Sequence, residues 1–195
     1  MRRQLTTAAI AIAIAATATA CNSDGVDAKP DSSASAAQSR APKDPAPAPD
    51  KGGDRGGDLT VGGTANLKAK NGAQVAVTLK NWADPAKSDN KYMQPSAGKR
   101  WVAAQFEIVN TGRTVYDDSP ANGVKVVDDQ GQAFTHSMGS TTAGPNMPAS
   151  VKLKAGEKAL GYVVVSVPEN TKPKAVTFTP DSGFAKETGQ WTVAK

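Results

Sequence analysis

All ten aromatic residues of this 195-residue chain lie beyond residue 80: Trp82, Tyr92, Trp101, Phe106, Tyr116, Phe134, Tyr162, Phe178, Phe184 and Trp191. Aromatic rings carry the largest apolar area that a side chain can bury. Their placement confines any packed core to the C-terminal part of the chain. The N-terminal part needs a different explanation.

Met1-Arg2-Arg3 is a short positive start, and Leu5 to Ala20 follows without a charge. A bilayer-spanning helix needs roughly 20 apolar residues; this run has 16 uncharged ones, four of them threonine. A basic start, an apolar stretch and a small-residue end predict a secretory signal peptide over residues 1–20. Ala18-Thr19-Ala20-Cys21 resembles the bacterial lipobox, although Ala18 stands where that motif usually carries a large aliphatic residue. The resemblance implies that Cys21 is lipidated and becomes the first residue of the mature chain. A membrane anchor through Cys21, at the extracytoplasmic face of the cell membrane, is the expectation. Arg2-Arg3 leaves the general secretory and twin-arginine routes both open.

From Asn22 to Gly57 there is no aromatic residue and one large aliphatic, Val26, among five prolines and five glycines. Such a segment cannot bury enough apolar area to offset its ordering entropy, so residues 21–57 read as a disordered tether behind the anchor. As flexible coil it would span about 30–35 Å on average.

Residues 58–195 are long enough for one domain with a real core. Apolar residues alternate there with period 2, the mark of half-buried strands. Val75, Val77 and Leu79 share one face; Val102, Ala104, Phe106 and Ile108 share another, with Gln105 and Glu107 pointing away. Val124–Val127 and Gln132–Thr135 flank Asp128-Asp129-Gln130-Gly131, which predicts a hairpin closed by Gly131 in the left-handed region. Lys158 to Val167 is a long strand that Pro168 ends, since proline has no N–H for a central ladder. Ala175–Thr179 and Gln190–Val193 complete an all-β reading, a sandwich of about seven strands. Ser137–Ser150 reads as a long loop with room for one helical turn.

A charged residue before Trp101, a strand ending in Asn110-Thr111-Gly112, Tyr116, Asp129-Gln130-Gly131, Leu153-Lys154-Ala155-Gly156-Glu157, Val167-Pro168 and a near-terminal Trp191 follow in that order. The order resembles a domain-of-unknown-function family of immunoglobulin-like bacterial lipoproteins. It is also distantly similar to the immunoprotective extracellular antigens of actinobacteria. The resemblance implies an Ig-like β-sandwich outside the cell membrane and brings no catalytic residue with it.

The single cysteine excludes an intramolecular disulfide and any cysteine-clustered metal site. The single histidine, His136, could serve as a base beside Ser137 or Asp129. A nucleophile also needs a third group to orient that base, and no Gly-x-Ser-x-Gly elbow is present. Asp117, Asp118, Asp128 and Asp129 are candidate calcium ligands if loops at one end converge, and ordinary turn residues otherwise. Met138 and Met147 lie in the long loop, where exposed methionine suits an adaptable binding surface. Trp101, on the face opposite Val102, would form a ligand platform if exposed near Trp82.

The 58–195 region carries 16 Lys and Arg against 12 Asp and Glu. No basic run is interleaved with aromatics, which argues against nucleic acid, and no Gly-rich phosphate loop points to a nucleotide. The expected function is a non-enzymatic, cofactor-free interaction module contacting an envelope protein or wall polymer. An envelope ligand- or metal-sensing module using the acidic loops is the alternative.

Overall fold

The computed structural model describes residues 59–194. The expected signal peptide, Cys21 and the expected tether lie outside the described residues. Two sheets face each other. The first has the order β1 (Leu59–Thr60), β11 (Gly189–Thr192), β10 (Pro173–Phe178), β6 (Val124–Asp128), β7 (Ala133–Thr135). The second has the order β2 (Thr64–Lys68), β3 (Gln74–Ala86), β4 (Lys99–Asn110), β9 (Lys158–Pro168). A short pair, β5 (Tyr116–Asp118) with β8 (Val151–Leu153), stands apart. Among the described strands, β1 and β11 run parallel and the other strand pairs are antiparallel.

The alternating residues make the core as the period requires. Val102, Ala104, Phe106 and Ile108 of β4 are buried with Val163 and Val165 of β9, facing Val126, Val176, Phe178 and Trp191 of the other sheet. The hairpin forms as expected: Val126 pairs with Phe134, and Gly131 has φ 79°. Both amides of Gln130 and Gln132 donate to the Asp128 Oδ1 atom, at 2.9 and 2.8 Å.

The strands number eleven among the described residues, against the expected seven or so. The additions are short, such as β1 and β5, or poor in large side chains, such as β2, so alternation in them is a weak signal. No helix forms in Ser137–Ser150. The chain there makes isolated bridges instead, and the helical turns lie elsewhere, at Pro120–Gly123 and Pro180–Gly183.

Candidate functional site

Trp101 is buried, at 4 % exposure, so the expected exposed platform is not formed. It packs with Ala86, Ala103, Tyr162 and Val164 in a second cluster, on the outer face of the β2–β3–β4–β9 sheet. Trp82 instead packs against the main core and borders a small cleft with Asp84 and Pro173. Strand alternation separates the two rings, because Trp82 pairs with Ala104 and Trp101 with Ala86.

What covers Trp101 is the long loop, which acts as a strap. It leaves the β9 edge at His136, which bridges Val165, and at Ser137, whose N–H donates to Val164 O at 2.8 Å. It meets the β3–β4 connection where Thr142 N–H donates to Lys87 O at 3.0 Å and Ser140 Oγ donates to Asp89. It returns to the β9 edge where Tyr162 N–H donates to Pro145 O and Met147 N–H to Tyr162 O. Small residues permit the fit: a Cβ on Gly139 would sit 2.7 Å from the Trp101 ring, and one on Gly144 2.9 Å from the Tyr162 ring.

Between this strap and the Pro120–Gly123 turn lies an open groove of about 470 Å³. Met93, Ala121, Asn122, His136, Met138 and Met147 are among its lining residues. Met147 is buried beneath it, whereas Met138 is 88 % exposed and Met93 40 %. Tyr92, next to Met93, is 85 % exposed. Large apolar side chains left in water mark interaction surfaces when they adjoin one another. The sequence reading found Met138 and Met147 but missed Met93; the signal available was the apolar pair Tyr92-Met93 inside an otherwise polar connection.

The acidic pairs are engaged in the fold. Asp118 is buried, accepting from the Tyr116 hydroxyl at 2.5 Å, Ser119 N–H at 2.7 Å and Ser182 Oγ at 2.9 Å. Burial first, then the hydrogen bond to Asp118 and the negative charges of Asp118 and Asp181, push the Tyr116 hydroxyl well above the ordinary phenol value. Asp117 pairs with Lys152 at 3.2 Å across β5 and β8. Asp128 caps the hairpin turn described above, and Asp129 takes a long 3.4 Å hydrogen bond from Gln130. Among the described residues, no three His, Cys, Asp or Glu side chains are grouped to hold a metal ion. Ser137 Oγ accepts from Ser166 N–H at 3.0 Å, an edge-capping contact rather than one with His136.

Arg100, noted only as a charge before Trp101, proves to be a latch. Its Nε and Nη2 atoms donate to the two carboxylate oxygens of Asp84 at 2.8 and 2.9 Å. Its remaining donors reach the carbonyls of Pro168, Glu169 and Thr171.

Among solved structures, the chain is similar to ycdA, a lipoprotein candidate of Bacillus subtilis, at 14% identity and TM-score 0.46. That match covers 60% of this chain and 36% of ycdA, so the chain spans about a third of that protein. It is also similar to the secreted protein MPT63 of Mycobacterium tuberculosis, at 11% identity and TM-score 0.49, covering 71% of this chain and 98% of MPT63. The yjhA protein of Bacillus subtilis is similar at 12% identity and TM-score 0.49, over 69% of this chain and 98% of yjhA. No curated protein sequence matches the chain. Residues 65–188, from β2 to the approach of β11, match the family described as Domain of unknown function (DUF4352), and the chain belongs to that family.

Proposed function

We propose that this protein is exported, processed at Cys21 and held by lipid at the extracytoplasmic face of the cell membrane. There its sandwich serves as a non-enzymatic binding module for another component of the cell envelope. The anchor reading rests on the layout of residues 1–21 and on the polar tract behind them. The observation that carries the binding role is the groove between strap and turn, which Met93 and Met138 line while standing in water, with the exposed Tyr92 next to Met93 in the chain. Methionine is flexible and polarizable, so it adapts to partner surfaces of varied shape. The acidic-loop alternative is not favoured, because Asp118 and Asp128 spend their oxygens on neighbouring amides and hydroxyls.

A photo-crosslinking side chain at position 92, compared with one at Lys174 on the outside of β10, tests the face. Irradiated envelopes should give a discrete adduct from position 92 and none from position 174. Equal labelling from both positions, or none from either, would refute the groove as the binding face.

A further inference from the structure

Apart from Met1, the chain has three methionines and one histidine, and all four line a single groove: Met93, Met138, Met147 and His136. They come from different stretches of chain, which the strap and the β3–β4 connection bring together. Packing accounts for Met147 but not for the other three. The main core is built from valine, leucine, alanine, isoleucine and aromatics, with Met147 its single methionine. Met93 and Met138 are exposed. His136 is held through its backbone bridge to Val165, and its side chain faces solvent.

The chemistry of this donor set is selective. Thioether sulfur is a soft ligand that prefers Cu(I), and imidazole also suits copper; carboxylates and carbonyls suit calcium, magnesium and manganese. No Asp, Glu, Lys or Arg lines the groove. Its lining therefore lacks the anionic oxygens that hard divalent ions favour. We propose that the groove binds Cu(I) through the thioethers of Met93 and Met138 and the imidazole of His136, with Met147 beneath them as a third sulfur. The site is one of binding only; no electron transfer is involved.

This inference rests on the groove being the binding face, and its test is separable from that reading. The full chain carrying Cys21→Ser, so that no thiol competes, is purified in detergent with labelled methionine ε-methyl groups. It is titrated with Ag(I), a redox-inert analogue, and under reducing conditions with Cu(I) against a Cu(I)-selective chelator. One equivalent should shift the Met93 and Met138 methyl signals together, while Ca(II) leaves them in place. Met93→Leu, Met138→Leu and His136→Ala should each weaken Cu(I) binding by about tenfold or more, since loss of even an outer partner of a metal ligand costs that much. Leucine matches methionine in size at these exposed positions, and circular dichroism verifies the fold. Unmoved methyl signals, or leucine variants that bind as tightly as the parent, would overturn the metal site. Crosslinking from position 92 that persists in a protein indifferent to both ions would discard the metal and keep the binding face.

Discussion

The ring of Phe106 on β4 lies 5.4 Å from the ring of Trp191 on β11, edge to face at 66°, and the two belong to opposite sheets. Phe178 of β10 joins them, 5.6 Å from Phe106. All three are fully buried. Phe106→Ala should cost about 3–5 kcal/mol, from lost transfer energy and the cavity left behind. Its neighbour Glu107 points outward between Lys80 and Lys158, at 3.9 and 3.3 Å. Surface ion pairs contribute about 0–1 kcal/mol, so Glu107→Ala should barely move a urea melt. A larger effect from Glu107 than from Phe106 would contradict the register.

Arg100 ties β3, β4 and the β9–β10 connection at one end of the sandwich. Hydrogen bonds to a charged group contribute roughly 1.5–3 kcal/mol when a partner is removed. Arg100→Ala should therefore destabilise the domain by about 2–3 kcal/mol in a denaturant melt. Arg100→Lys should recover little, because an ammonium cannot reproduce the planar fork that meets a carboxylate in two places. Full recovery by lysine would show that charge alone matters here.

The features legible in the sequence were those that a local period or a single backbone constraint encodes. Val102, Ala104, Phe106 and Ile108 declare their face through alternation, and Gly131 declares the hairpin because its turn needs a positive φ. The latch was not legible, since Asp84 and the carbonyls of Pro168, Glu169 and Thr171 meet Arg100 only after two strand pairings are in place. The strap was equally hidden. Its course over Trp101 depends on Gly139 meeting a ring from another strand, and no window of sequence contains both. For the same reason Met138 and Met147 could be singled out as loop residues while Met93, on a separate connection, escaped notice.

The Tyr116 hydroxyl is buried against Asp118, and its pKa is raised mainly by that burial. An unfolded tyrosine ionises near pH 10. Because the folded value is higher, this group's contribution to stability is fully present below about pH 10 and is lost as pH rises beyond it. Tyr116→Phe should lower stability at neutral pH by about 1–2 kcal/mol, leaving Asp118 one donor short. The variant should also show a shallower alkaline decline than the parent. Melts at neutral and alkaline pH, run on both proteins, check the sign; parallel declines would contradict it.

The anchor proposal makes Cys21 the first residue of the mature protein. Cys21→Ser should leave the precursor unprocessed or release the protein from membranes. Detergent partitioning and intact mass decide the matter: a soluble mature form identical in parent and variant would rule the anchor out.

Gly161 joins the fold to the groove. A Cβ there would lie 2.4 Å from both the N and Cα atoms of Met147 and 2.6 Å from the Asn146 carbonyl carbon. These are backbone atoms, which cannot swing aside as a flexible side-chain tip would. Gly161→Ala must therefore push the strap away from β9, at the very hydrogen bonds that seat it, Met147 N–H to Tyr162 O at 2.8 Å and Tyr162 N–H to Pro145 O at 2.9 Å. Overpacking of this kind costs about 1–3 kcal/mol. Gly161 shares the core face of β9 with Ala159 and Val163, opposite Phe106, and Met147 belongs to that same core, so the expected result is a lowered melt. With it should come a moved Met147 methyl signal and faster proteolysis between residues 137 and 147. Leu160→Ala, at a half-exposed neighbour, should leave the strap in place. If Gly161→Ala changed neither the melt nor the Met147 signal, the strap could not be seated on β9 and the groove would lose its wall.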